Sequence, residues 1–174
     1  MEKRSAWYIL LKSLIFLGVY TAFHFGGDVL KLPVFAVSES PWEHLKAGFY
    51  AGSLLVLLEA LWLGFQREVF SWIRFFTSRL TGVLTIPVLL FLLFYLSVAL
   101  WGKITPAWLG IAYAVAITLL SGLTAAYVEN ELLDFRWEHK PTLLLLAVIV
   151  YIIALYIFIQ FTYDVPYYPM FTER

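Results

Sequence analysis

The chain has no cysteine among its 174 residues. Thiol catalysis, thiolate metal sites and disulfides are therefore excluded, and any chemistry falls to imidazoles, carboxylates, hydroxyls and amines. Residues 38–46, SESPWEHLK, concentrate these groups. Ser40, Pro41 and Glu43 have the spacing of N-cap, N1 and N3 at a helix start. There the serine accepts from the N3 amide and the glutamate reaches back to the cap amide. Capping alone can explain Ser40 and Glu43, whereas Glu39 and His44 are left over. His24 and Asp28 precede this segment, and Asp164 lies near the end of the chain. If all of them share one membrane face, two imidazoles and up to four carboxylates stand on one rim. His24, Glu43 and His44 are then candidate ligands of a divalent metal such as zinc. Asp28, Glu39, Ser40 and Asp164 complete a polar pocket. A proton relay and a cap network that ties helix ends together are the alternatives. No H-E-x-x-H or H-x-x-x-H spacing is present, so a metal site has to be assembled from separate segments.

A second group lies inside apolar sequence. Lys12 and Glu59 each interrupt a hydrophobic run. At 1.5 Å per residue both fall about 10 Å from the same end of their runs. The runs are consecutive, so contact is expected, and an intramembrane ion pair is the reading. The alternatives are a snorkelling Lys12 and a proton pathway, since ionisable groups in a membrane are functional suspects by default.

The elements that must position these groups are membrane helices. Hydrophobic residues make up 62% of the sequence and charged residues only 14%, against about 45–50% and about 25% in soluble domains. So much apolar surface cannot be hidden inside a soluble domain of this size. Twelve basic residues balance twelve acidic ones, so no net field points to nucleic acid or another polyanion. A span needs about 20 apolar residues, and five segments qualify: residues 6–25, 45–65, 80–102, 104–128 and 141–163. The fold class expected is an all-α, polytopic membrane bundle of five helices in a single domain covering residues 1–174. The first span lacks a signal-peptide cleavage pattern and is read as retained.

With the N-terminus in the cytoplasm, the inner segments carry seven basic residues and the outer ones four. The positive-inside rule then gives a multi-pass protein of the cell membrane, N-terminus cytoplasmic and C-terminus extracytoplasmic. Residues 66–79, QREVFSWIRFFTSR, read as a short interfacial amphipathic helix or as an extension of the third span. Trp7, Trp62, Trp101, Trp108 and Trp137 fall near span ends with Tyr8, Tyr163, Tyr167 and Tyr168, as an aromatic belt would. Gly48-x-x-x-Gly52 allows close helix approach, to the first span or in a homo-oligomer. The lipid bilayer is the partner that the composition requires.

Residues 39–46, ESPWEHLK, resemble the E-S-x-W-E-H-x-K signature of domain-of-unknown-function family 6512, a group of small integral membrane proteins. Residues 161–171, FTYDVPYYPMF, are similar to that family's closing F-T, P and P-x-F pattern. The resemblance implies a membrane protein without an assigned activity. Ser40 and His44 also form an S-x-x-x-H spacing similar to one motif of the seven-span ceramidase-like and progestin-receptor-like membrane hydrolases. Three functions stay open: a membrane protein with a His/carboxylate pocket on its outer face, a small metal-dependent membrane enzyme, and a non-catalytic subunit or scaffold.

Overall fold

The computed structural model describes residues 4–30, 32–66, 71–102, 104–133 and 141–171. Five long helices account for nearly all of them: α1 (Ala6–Leu30), α2 (Pro41–Gln66), α3 (Trp72–Trp101), α4 (Ala107–Leu132) and α5 (Pro141–Tyr163). A single 3-10 turn, Pro169–Phe171, follows. No strand occurs among the described residues. The helices hold 23 to 30 residues, about 35–45 Å at 1.5 Å per residue. All five are long and apolar enough to cross a membrane.

The first four helices form a ring. α1 packs on α2 and α4, and α3 packs on the same two; α5 lies outside against α3. The hydroxyl of Tyr151 on α5 also donates to Ser53 of α2 at 3.0 Å. Apolar residues are spread around each helix rather than confined to one stripe, because the outer face meets lipid. What marks the inner face is small or polar: Ser13, Ser78, Ser97, Thr118 and Ser121 are buried. Several of these hydroxyls return their proton to a backbone carbonyl one turn back, as Ser13 does to Ile9 at 2.8 Å. They therefore bring small volume to the interface without an unsatisfied donor.

Gly48 and Gly52 show how close the approach is. A β-carbon at either position would stand 2.8 Å from a side-chain carbon of Leu90 or Ile86 on α3. The GxxxG face expected for α1 or a second subunit packs on α3 of the same chain, with Tyr20 of α1 also 3.9 Å from the Gly48 β position. Trp7, Trp62, Trp101 and Trp108 are 65–79% exposed near helix ends, as an aromatic belt requires; Trp137 lies outside the described residues. Tyr8 departs from the belt and turns inward, its hydroxyl 3.3 Å from Glu59.

The separate interfacial helix is not found among the described residues, and its residues 67–70 lie outside them. Trp72 to Arg79 form the first turns of α3, started by Ser71, whose hydroxyl accepts from the Arg74 amide at 3.4 Å. Arg79 is the reason. Instead of reaching for lipid head groups it is 2% exposed and bonds two carboxylates within the ring.

Those bonds close a circuit. Lys12 of α1 contacts Glu59 of α2 at 2.6 Å and Glu129 of α4 at 2.5 Å. Arg79 of α3 contacts Glu59 at 2.6 Å and Glu129 at 3.0 Å. Each ring helix contributes one charge, and the four sum to zero. The expected Lys12–Glu59 pair is present as one edge of a larger square. Removing one member of a buried ion set strands its partners in low dielectric and costs about 3–5 kcal/mol. Lys12→Met is therefore expected to lower stability by about that amount, and the double change Lys12→Met/Glu129→Gln to recover most of it. Unfolding in detergent, followed by circular dichroism, measures both; a double variant no better than the single one would refute the circuit.

Candidate metal centre

Ser40 starts α2 as the spacing predicts. The Glu43 amide lies 3.0 Å from its carbonyl and 3.4 Å from its hydroxyl. The return half of the capping box differs. Glu43 accepts from the Val37 amide at 3.0 Å and from Lys46 at 2.6 Å. Lys46 is completely buried, and a buried ammonium must have a counter-ion; Glu43, one turn away, supplies it. The Lys46 ammonium also lies 3.4 Å from the Thr162 hydroxyl of α5. Glu43 is therefore committed to Lys46 and the loop, and the expectation that it ligates a metal is corrected.

The segment before α2 is clamped at two neighbouring points. The Ala36 amide donates to Phe23 of α1 at 3.0 Å, and the next amide, Val37, is the one held by Glu43. Gly26 and Gly27 make the first clamp possible. α1 continues through both to Leu30, and the Ala36 carbonyl oxygen sits 1.6 Å from where a Gly27 β-carbon would be. The Phe35 ring lies over Gly26 and packs on Phe23 with centroids 5.1 Å apart. Two residues past the second clamp, Glu39 is suspended over the end of α1 and the start of α2.

There it meets both expected histidines. Glu39 Oε1 is 3.5 Å from His24 Nε2, and Glu39 Oε2 is 3.6 Å from His44 Nε2. The two imidazoles stack with centroids 4.8 Å apart. One ligand atom from each residue lies within 4.8 Å of the others. The Tyr20 hydroxyl, one turn below His24 on α1, is 2.8 Å from His44 Nδ1. That bond fixes the ring so that Nε2 faces the carboxylate. The histidine side chains are 13% and 26% exposed while Glu39 is 70% exposed, so the group is walled on one side and open to water on the other. His24 Nδ1 is buried without a hydrogen-bond partner among the described residues.

The remaining expected pocket members do not join this group. Asp164 is exposed just past α5. Asp28 lies in α1, and its side chain falls outside the described residues. Ser40 is 1% exposed, and its oxygen is occupied by the cap, which removes it as a nucleophile. Trp42 is buried under Phe158, Phe161 and Phe171, with centroids 4.8–5.4 Å away. The closing P-x-F segment therefore folds back to lock the start of α2.

Gly27→Ala forces the Ala36 carbonyl away from α1. It is expected to lower the melting temperature and to expose residues 32–40 to limited proteolysis, while Gly18→Ala, which has open space around its β position, changes neither. No protein-family model, characterised protein or solved structure matches the chain, so the chemistry of the centre rests on its own geometry.

Proposed function

We propose that this is a multi-pass protein of the cell membrane, N-terminus cytoplasmic, whose extracytoplasmic end holds a divalent metal ion on His24, Glu39 and His44. Zinc is the best fit to two imidazoles and a carboxylate. The observation that carries the reading is the pair of carboxylate-to-imidazole separations, 3.5 and 3.6 Å. Ligands about 2.0–2.1 Å from a tetrahedral ion stand about 3.3 Å from one another; one donor atom from each of the three residues lies within 4.8 Å of the others, so the donors would close in by up to about 1.5 Å on binding. Tyr20 behind His44 is the second partner that metal-bound histidines have on their other nitrogen. The excess of basic residues in the inner segments supports the orientation. The likeness of residues 39–46 to family 6512 belongs to the same proposal, since Glu39 and His44 are in that signature.

A second reading is favoured by the ligand count. Three protein ligands leave a fourth position open, as catalytic zinc sites do and structural ones do not. A metal-bound water there would be activated as a nucleophile, which supports a small metal-dependent membrane enzyme.

Zinc titration of the purified protein tests the metal. One ion per chain is expected, lost with His24→Ala, Glu39→Ala or His44→Ala, and retained with Asp164→Asn. Tyr20→Phe is expected to weaken zinc by about 10–100-fold, the usual effect of losing a partner behind a ligand. Binding weakens on acidification, because each imidazole must be neutral to coordinate. If the wild-type chain takes up no zinc, the three residues are a hydrogen-bonded clasp and the scaffold reading replaces this one. Orientation is tested by Tyr167→Cys, at a fully exposed position. In a chain with no other thiol, an impermeant maleimide is expected to label it in intact cells.

A further inference from the structure

Directly beside His44 lies a cavity of about 50 Å³ enclosed by the four ring helices. Tyr20 forms part of its wall, and Leu90, Phe94 and Ile117 make it largely apolar. A larger cavity, about 290 Å³, lies between the outer halves of α3 and α4. Phe94, Ala114 and Ile117 line both, so the two spaces are neighbours across a shared wall. The polar groups of the larger one are already engaged. Ser97 donates to the Phe94 carbonyl at 2.7 Å, and Tyr113 donates to the Leu93 carbonyl at 2.7 Å. What remains facing the space is mostly hydrocarbon. Water needs two to four polar partners to occupy such a space, and it finds few here. The volume is enough for part of an alkyl chain.

We infer that the centre serves a membrane amphiphile. A single alkyl chain lies in the cavity between α3 and α4, and an oxygen-bearing head group takes the open position on the metal held by His24, Glu39 and His44. The inference rests on the metal reading and adds the chemical class of the ligand. Two features support it together. The small cavity has His44 and Tyr20 in its wall and shares Phe94, Ala114 and Ile117 with the larger apolar one, and Glu39 is the most water-exposed member of the trio. A ligand with one apolar end and one metal-binding end matches both surfaces.

The test uses the zinc-loaded full chain in lipid nanodiscs and two probes with the same zinc-chelating head: dodecanohydroxamic acid, which has an alkyl tail, and acetohydroxamic acid, which has none. Two variants fill the cavity. Ala114→Phe grows from the shared wall, and Gly110→Leu grows from a position whose β-carbon meets nothing within 4 Å. Wild-type protein is expected to bind the long probe more tightly than the short one. Each variant is expected to lose about tenfold or more of the long probe's affinity, the discrimination a misfitting apolar pocket gives. Zinc stoichiometry and the short probe's affinity stay unchanged. That pattern in either variant that keeps its zinc supports the inference. If both variants keep zinc and bind the long probe as wild type does, the tail lies in bulk lipid and the inference fails while the metal reading stands. If wild-type chain binds no zinc, both fall. His44→Ala, expected to bind neither probe, identifies head-group binding elsewhere if it binds them.

Discussion

No charge can be left alone in hydrocarbon, and this constraint organises the bundle. α1, α2, α3 and α4 each carry one charge to the same end of the ring, and each charge touches two of opposite sign. Apolar packing alone distinguishes poorly between helix arrangements in a membrane, because lipid tails are as apolar as leucine. The square of ion pairs does distinguish them. Exchanging two neighbouring helices or sliding one by a turn separates a cation from a carboxylate. The small residues along the interfaces then allow the approach that this arrangement demands.

At the other end of the ring a similar argument acts on a smaller scale. Lys46 is fully buried, and Glu43 is drawn to it rather than to the cap amide. That single choice ties Val37, two residues before Glu39, to α2. The loop is thus positioned from below by an ion pair and from the side by the glycine-lined end of α1. The cluster of His24, Glu39 and His44 is held by elements that take no part in its chemistry.

Much of this was legible in the sequence, for identifiable reasons. The five spans follow from hydropathy. Their ends moved because helices continue beyond the hydrocarbon: Ser71 caps α3 well before the uncharged stretch that starts at Leu80, and α1 passes through Gly26 and Gly27. Lys12 and Glu59 were recognisable because each is conspicuous in an apolar run. Arg79 was not, because it stands among Arg74, Thr77 and Ser78 and reads as interfacial. Glu129 opens a charged segment and gave only a hint. His24 and His44 were expected together because consecutive spans place them on one rim. The choice between Glu39 and Glu43 was hidden. It depends on whether Lys46 is buried, and a lysine near a span end ordinarily reaches for water. The signal that could have found it is the Glu43–Lys46 spacing of three, which puts the two side chains on one helix face.

Along α1, Tyr8, Lys12, Phe16, Tyr20 and His24 recur every fourth position, and all five engage neighbours within the ring. Lys12 and His24 lie about 18 Å apart along the axis at 1.5 Å per residue. The helix is thus a shaft keyed at both ends. A rotation that loosened the charge square would also carry His24 out from under Glu39, and a shift of His24 would be felt as torque on Lys12. A single continuous helix thus carries one corner of the charge square and, at its other end, one histidine of the cluster.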